Sequence, residues 1–232
     1  MTSSHRHAKS EAESEVRKFY DRWIGGAGLL SLVGRLIFRL SGLVYSSTFA
    51  RAAHLVPDQS VLEVGCGMGT ILTTTQRRLR SAAPYVGVDL SLEMVAQGYS
   101  KALRNPRQNL VALVVGSGLY LPVDDSRFDV VLLSHVIKYL TDAELIQVLW
   151  EARRVLKPAG RVVLWEFHPA WNPSVTQMIL RCCKAQKLRD PIELKDTMRA
   201  AGFRDLTSFQ VVTPWLPWSN VALTGCSDEL PW

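Results

Sequence analysis

The chain has 232 residues, of which 47% are hydrophobic, 9% aromatic and 21% charged. This composition is typical of a globular protein and excludes a disordered or fibrous chain, and the length predicts one elaborated domain. The net charge of +6 is typical of proteins that bind nucleic acid or an anionic surface. The densest basic cluster, Arg77-Arg78-Leu79-Arg80, has only the size of a solvated helix face, so we expect no stable nucleic-acid partner.

The four cysteines show neither C-x-x-C spacing nor the Cys/His spacing of a zinc site. We therefore expect no disulfide framework, no metal and a reducing, cytoplasmic compartment. The longest uncharged stretches near the N-terminus, residues 23–34 and 40–50, are shorter than the roughly 18 apolar residues that a membrane-spanning helix needs. Acidic residues precede these stretches, which argues against a signal peptide.

The N-terminal quarter of the chain differs in pattern from the rest. Residues 1–10 are polar and predict a flexible tail. Residues 11–56 predict a helical cap or substrate lid, because apolar residues recur at three- and four-residue steps between Leu29 and Val44. Arg35 and Arg39 then fall one turn apart on another face. An apolar helix with two arginines suits a hydrophobic acceptor, or shallow peripheral contact with an anionic membrane.

From residue 57 onwards, short β-branched runs alternate with helical patterns. The predicted strands are residues 60–64, 85–89, 110–115, 128–133 and 160–167, followed by an antiparallel pair, 203–212 and 220–225. Thr141 and Glu144 form a capping-box pattern ahead of a helix that ends before Gly160. Continuous apolar strands separated by helices predict an α/β fold, which is a Rossmann-like, doubly wound, mostly parallel seven-stranded sheet with an antiparallel last strand.

The most informative segment is a glycine loop that directly follows a predicted strand and opens a helix. It reads Glu63-Val-Gly-Cys-Gly-Met-Gly69. Glycines at alternate positions let the backbone turn sharply and approach a ligand, and the helix N-terminus presents free N–H groups. The next predicted strand ends in Asp89, about 20 residues further on, which is the spacing of an acid that binds ribose hydroxyls.

Two other nucleotide-binding motifs fit this loop less well. The dinucleotide fingerprint needs a glycine where Thr70 stands, and a P-loop needs a Gly-Lys-Ser/Thr sequence that is absent. A carboxylate at Glu63 would repel a pyrophosphate but suits a ligand with an amino group or another cation. The loop therefore predicts a site for a nucleoside that carries an amino-acid tail.

Over residues 55–167 the sequence resembles the class I S-adenosylmethionine-dependent methyltransferases, especially the small-molecule branch that includes quinone C-methylating enzymes. The cofactor-binding residues that the resemblance implies are Glu63, Gly65, Cys66 and Gly67 at the methionine end, Asp89 and Leu90 at the ribose, Ser117, Gly118 and Leu119 at the adenine, Ser134 at the exit of the fourth strand, and Tyr20 closing over the cofactor.

One position departs from the pattern of the family that the chain resembles. The residue at 117 is usually an aspartate, whose carboxylate accepts the adenine amino hydrogen. Ser117 still offers a hydroxyl acceptor, but without charge assistance. We therefore expect cofactor binding to be weaker by about 1 kcal/mol.

Three residues at the predicted carboxyl ends of strands are candidates for the chemistry. His135 suits a general base or a residue that orients the acceptor, and Glu166 with His168 suits a carboxylate–imidazole pair. The alternatives are that His135 is a structural residue beside the cofactor and that Glu166 and His168 form a polar rim. Methyl transfer needs a base only when the acceptor holds its proton near neutral pH.

The function that this resemblance implies is S-adenosylmethionine-dependent methylation, and the apolar segments outside the sheet favour a small apolar or lipid-like acceptor, methylated at O, N or C. One alternative is a nucleic-acid methyltransferase, which the basic charge favours. Against it, Ser134-His135-Val136-Ile137 stands where an Asn-Pro-Pro-Tyr/Phe motif would follow the fourth strand. The other alternative is an inactive cofactor-binding scaffold, which only Ser117 suggests.

Overall fold

The computed structural model describes residues 49–51, 53–103, 111–168, 173–212 and 219–227, together with Lys18, Asp21, Gly28, Leu32 and Leu36. The predicted tail, residues 1–10, lies outside the described residues, as does most of the predicted cap. Within the cap, Lys18, Asp21, Leu32 and Leu36 are helical. None of the helices in the described ranges is long and apolar enough to cross a membrane.

Seven strands form one sheet, as the sequence predicts. In chain order they are β1 (Val61–Val64), β2 (Tyr85–Asp89), β3 (Val111–Val115), β4 (Phe128–Ser134), β5 (Leu156–Phe167), β6 (Phe203–Val212) and β7 (Ser219–Ser227). Their order across the sheet is β3-β2-β1-β4-β5-β7-β6. The pairs from β3 to β5 are parallel, whereas β7 runs antiparallel to both of its neighbours. The doubly wound sheet with an antiparallel last strand is confirmed.

Helices connect the strands at the predicted places. They are α1 (Thr70–Leu79), α2 (Leu92–Leu103), α3 (Asp142–Val155), α4 (Pro173–Cys183) and α5 (Pro191–Ala200), with a short 3-10 turn at Ile137–Tyr139. The capping box at the start of α3 is confirmed, because the Thr141 side chain accepts from the Glu144 N–H while the Glu144 carboxylate accepts from the Thr141 N–H.

Strand β5 begins four residues earlier than predicted. Leu156 already pairs with Phe128, but the next pair along the strands is Arg161 with Val130. The extra residues on β5 form an irregularity in which Ala159 adopts a positive φ of 59°. The sequence prediction treated the Lys-Pro-Ala-Gly segment as a turn outside the strand, whereas it forms a bulge within the sheet.

Helices cover both faces of the sheet, and each face has its own core. One core includes Leu145 of α3 and Leu194 of α5, and the other includes Leu72 of α1. Phe49 joins the second core, where its ring meets that of Trp165 edge-on at 6.5 Å between centroids. The end of the N-terminal region therefore belongs to the packed body of the domain.

A buried arginine fixes the loop that follows β4. The Arg189 side chain is 1% exposed and donates hydrogen bonds to the carbonyl oxygens of Ile137, at 2.9 Å, and Leu140, at 2.7 Å. Its Nη2 also lies 2.7 Å from Asp142 Oδ1. In addition, the backbone N–H of Gln186 donates to the Lys138 carbonyl at 2.9 Å. The segment before α5 therefore holds this loop in place.

We predict that Arg189→Met lowers the free energy of unfolding by about 2–4 kcal/mol, because it removes the buried guanidinium that donates to the carbonyl groups of Ile137 and Leu140 and leaves the Ile137 carbonyl with only the Leu140 N–H. The matched control is Arg199→Met. Arg199 also pairs with an aspartate, Asp196, but its side chain is 60% exposed, so the change should stay within about 0.5 kcal/mol. Urea unfolding followed by circular dichroism measures both, and equal effects would contradict this account of Arg189.

Candidate functional site

The predicted site residues gather at the carboxyl edge of the parallel strands. β1 ends directly before Gly65, β2 ends at Asp89, β4 ends at Ser134 and β5 ends at Phe167. Because these strands are parallel neighbours, their carboxyl ends lie on the same side of the sheet, where ligands bind in open α/β folds.

The glycine loop between β1 and α1 requires glycine for two different reasons. Gly69 has a positive φ of 65°, and a Cβ there would also lie 2.7 Å from Leu113 Cδ2, so the leucine would have to shift. Gly67 has a positive φ of 55°, yet the nearest described atom to a Cβ there is Met94 Cε at 3.5 Å. Position 67 thus combines a left-handed backbone with open space, which is the arrangement of a loop that a ligand approaches closely.

Asp89 connects this loop to the end of β2. Its carboxylate accepts hydrogen bonds from the Gly67 N–H at 2.7 Å and from the Ser91 N–H at 2.9 Å. Burial raises the pKa of Asp89, the two backbone donors oppose that rise, and the negative charge of Asp21 adds to it. Each carboxylate oxygen accepts one of these bonds and has capacity for another, as a ribose diol would require.

Glu63 is a second buried acid beside the loop. Its side chain is 2% exposed, and its Oε2 has no hydrogen-bond partner among the described residues. Burial and the nearby charge of Asp89 raise the pKa of Glu63 well above its usual value. Such a group favours a cationic ligand, because a nearby positive charge would stabilise the ionised forms of both Glu63 and Asp89.

The N-terminal region reaches this part of the site through Asp21. The Ser91 hydroxyl donates to Asp21 Oδ1 at 2.6 Å and accepts the Met94 N–H at 3.1 Å, so it caps α2 while it binds the cap segment. Tyr20, predicted to close over the cofactor, lies outside the described residues. Its neighbour Asp21 nevertheless lies within hydrogen-bond distance of the β2–α2 loop.

The other predicted cofactor residues line the same edge. Leu90 and Ser117 are half-buried, and the Ser117 hydroxyl accepts the Leu119 N–H at 3.2 Å. Gly118 lies against Val64, since a Cβ there would be 2.7 Å from the valine side chain. The remaining members, Gly65, Cys66 and Ser134, lie in the loop after β1 and at the end of β4. Burial raises the pKa of the Cys66 thiol, which keeps it protonated.

His135 follows β4 directly and has an unusual backbone. Its φ is +54°, which is uncommon for residues other than glycine and occurs often at functional sites. The ring stands 4.6 Å from the Phe167 ring between centroids, and Nδ1 lies 3.3 Å from Glu166 Oε1. Burial lowers the pKa of His135, so the imidazole is neutral at pH 7, with Nδ1 carrying the hydrogen and Nε2 the lone pair.

The Glu166 carboxylate accepts hydrogen bonds from its own strand and from the loop after β4. The backbone N–H groups of Phe167, at 2.9 Å, and Lys138, at 3.1 Å, donate to it, and Lys138 Nζ lies 3.4 Å from Oε1. Burial alone would raise the pKa of Glu166, but Lys138 and His135 outweigh it and bring this pKa down to about 2. The imidazole partner of Glu166 is thus His135, which corrects the predicted pairing with His168. The side chain of Glu166 turns towards the loop after β4.

Sequence reasoning missed two residues of this site, Lys138 and Asp21. Lys138 is only 2% exposed, and a lysine is almost never buried so deeply unless it has a partner, which here is Glu166. Its one visible signal in the sequence is a lysine within an otherwise apolar run that follows a buried strand. Asp21 follows the tyrosine that was singled out, but nothing in its spacing indicates contact with Ser91.

Comparison with known proteins shows which proteins this chain is similar to. Residues 61–160 match the model of a family described as a methyltransferase domain. The chain is 36% identical over 130 residues to an uncharacterized 37.1 kDa protein in a transposon of Streptomyces fradiae, covering 55% of this chain and 35% of that protein. It is 31% identical over 160 residues to a demethylmenaquinone methyltransferase of Streptomyces griseus, covering 68% of this chain and 64% of that protein.

The chain therefore spans less than two thirds of each of these two relatives. Among solved structures, the geranyl diphosphate C-methyltransferase of Streptomyces coelicolor, in complex with Mg²⁺, geranyl diphosphate and S-adenosyl-L-homocysteine, superposes with a TM-score of 0.71 at 14% identity. The match covers 93% of this chain and 97% of that one. The fold, the glycine loop with its acids Glu63 and Asp89 and the domain match agree with one another, and residues 61–160 are similar to methyltransferase domains.

Proposed function

We propose that this protein transfers the methyl group of S-adenosylmethionine to a small, apolar or lipid-like acceptor. The observation that carries the proposal is the pair of carboxyl groups beside the glycine loop, the buried Glu63 and the half-buried Asp89. Their raised pKa values mean that, in the part of the chain that the structure describes, burial outweighs the groups that would stabilise their charge. A nucleoside with a cationic amino-acid tail is the ligand chemistry that would do so.

The chain's own residues divide the binding of that cofactor among them. Asp89 would accept the ribose hydroxyls, the open face of Gly67 would admit the amino-acid tail, and Glu63 would attract its cationic groups. Ser117 would accept the adenine amino hydrogen through its hydroxyl. When bound, S-adenosylmethionine supplies an electrophilic methyl group on a positively charged sulfur.

The acceptor side of the site offers a neutral base. In His135, Nδ1–H donates to the Glu166 carboxylate, and Nε2 would be the atom that takes a proton from the acceptor. This arrangement suits an acceptor that carries a removable O–H or C–H proton. The side chain of Phe167 packs on the imidazole and excludes water from one side of it.

The names of similar proteins support the class of acceptor. Relatives include demethylmenaquinone and 2-phytyl-1,4-naphtoquinone methyltransferases, and a structural neighbour binds geranyl diphosphate. The test is an assay of radiolabelled methyl transfer from S-adenosylmethionine to three acceptors: a prenylated demethyl-naphthoquinol, a short-chain catechol and transfer RNA. The proposal expects turnover of the prenylated quinol or the catechol. Turnover of RNA alone would overturn it in favour of nucleic-acid methylation.

We also propose a cytoplasmic location with peripheral contact to membranes, from which a lipid-like acceptor would be drawn. Leu32 and Leu36 lie one helical turn apart and are both more than half exposed, and Arg35 and Arg39 interleave with them in the sequence.

We expect Leu32→Asp/Leu36→Asp to reduce co-sedimentation with phosphatidylglycerol vesicles and to leave turnover of a short-chain acceptor unchanged. Equal co-sedimentation of the unaltered protein and the double variant would contradict the membrane contact.

Cofactor binding should depend on Asp89. We expect Asp89→Asn to weaken the binding of S-adenosylmethionine by about tenfold to a hundredfold, because an amide accepts the ribose hydrogen bonds less strongly than a carboxylate. In the unaltered protein, binding should also weaken as the pH falls through the raised pKa of Asp89, since protonation removes its charge. Calorimetric titration between pH 4.5 and 7.5 measures both effects.

The control for this experiment is Asp125→Asn, since the Asp125 side chain is 73% exposed and pairs with Arg154 away from the glycine loop. Its affinity should match that of the unaltered protein at every pH. An Asp89→Asn protein that binds the cofactor normally while it remains folded would show that the ribose is held elsewhere.

Turnover should depend on His135 without a matching effect on cofactor affinity. We expect His135→Asn to lower kcat by about a hundredfold or more, because it removes the base. In the unaltered protein the acid limb of the rate profile should lie below pH 6.5, since burial lowers the pKa of His135 from that value. The control is His54→Asn, because His54 is exposed but shares a positive φ with His135, and asparagine tolerates that conformation. A fall in kcat for both variants would show a backbone effect rather than a base.

A further inference from the structure

A buried lysine lies beside the proposed base, and no part of the proposed reaction has yet used it. The Lys138 side chain is 2% exposed, although it carries a positive charge. Its Nζ donates to the carbonyl oxygen of His135 and lies 3.4 Å from Glu166 Oε1. The ammonium group also stands over the Tyr139 and Phe167 rings, at 4.6 and 5.3 Å from their centroids.

We propose that Lys138 is a positioning residue of the methyl-transfer site, which neutralises the Glu166 carboxylate so that the His135 imidazole stays unprotonated and able to accept a proton. This inference rests on the proposed function of His135 as the base. Lys138 acts on the base in two ways, through its ion pair with Glu166 and through the direct repulsion between its ammonium group and a protonated His135.

Charge balance gives the physical reason. A buried carboxylate that faces only an imidazole favours the imidazolium form, because an ion pair is more stable there than an isolated negative charge. With Lys138 in place, the carboxylate already has a cationic partner, and a proton on His135 would add a second positive charge to a buried cluster. The charged groups that act on His135 are Glu166 from β5 and Lys138 from the turn after β4, and they have opposite effects on its pKa.

The backbone explains why Lys138 holds this place. Its own N–H donates to Glu166 Oε2 at 3.1 Å, and its carbonyl accepts the N–H groups of Gln186 and Lys187. The 3-10 turn therefore presents both the backbone and the side chain of one residue to the same carboxylate. A lysine fixed in this way needs little rearrangement to keep its ammonium group beside Glu166 during turnover.

The decisive measurement is the pKa of His135 in the cofactor-free protein, from the ¹³C signal of labelled histidine, assigned by its loss in His135→Asn. We expect Lys138→Met to raise this pKa by about one pH unit or more, and Lys138→Arg to restore most of the original value. An unchanged pKa in a folded Lys138→Met protein would overturn the proposal.

A second pair of variants covers the case in which Lys138→Met does not fold, because that change leaves a buried carboxylate without its cation. In Glu166→Gln, Lys138 remains as a cation beside His135, and in Glu166→Gln/Lys138→Met both charges are removed, a change that proteins often tolerate. The proposal requires a higher His135 pKa in the double variant than in Glu166→Gln. Equal values would overturn it.

Rate profiles then separate this inference from the proposed function. If His135 is the base, the acid limb of kcat in Lys138→Met should move to higher pH by the same amount as the pKa measured by NMR. A pKa that moves without the acid limb moving would remove His135 as the base while leaving the electrostatic effect of Lys138 established. The affinity for S-adenosylmethionine should be the same in the unaltered protein and in Lys138→Met.

Discussion

The Glu166 carboxylate is the interaction on which the acceptor side of the site depends. It is buried at the end of a central strand, where an isolated negative charge would be strongly unfavourable. Donors from three neighbouring segments make it stable: the Phe167 N–H on its own strand, the backbone and ammonium of Lys138, and the ring of His135. Because one carboxylate satisfies all of them, the loop after β4 can adopt only a narrow range of conformations, and the positive φ of His135 is part of that geometry.

The support for this loop comes from far away in the sequence. Arg189 donates to the carbonyl groups of Ile137 and Leu140, and the N–H of Gln186 donates to the carbonyl of Lys138. The region before α5 therefore sets the geometry of a site to which it supplies no reacting group. Changes in the C-terminal third of the chain would therefore alter the loop after β4 without altering the glycine loop that we propose to hold the cofactor.

The sequence predicts the cofactor side better than the acceptor side, for a physical reason. The glycine loop and Asp89 belong to local motifs, in which a few neighbouring residues determine both backbone and chemistry. Likewise, the capping box at Thr141 is a four-residue pattern. The contact between His135 and Glu166 depends instead on how β4 and β5 end beside each other, and the bulge at the start of β5 shows that strand register is poorly encoded in local sequence. Both residues could be identified as candidates, but their partnership could not.

The two sides of the site are electrostatically different, and the difference favours binding of the cofactor before the acceptor. Glu63 and Asp89 have raised pKa values and no cationic partner among the described residues, so a positively charged ligand would be stabilised there and would stabilise the fold in turn. Glu166, by contrast, has a pKa lowered to about 2 because Lys138 and His135 already compensate it. The cofactor side is therefore incomplete without its ligand, whereas the acceptor side is balanced within the protein. An uncharged acceptor would gain little electrostatic stabilisation beside Glu166, so its binding would depend on apolar contact. A bound cofactor would add to the apolar surface that the acceptor contacts.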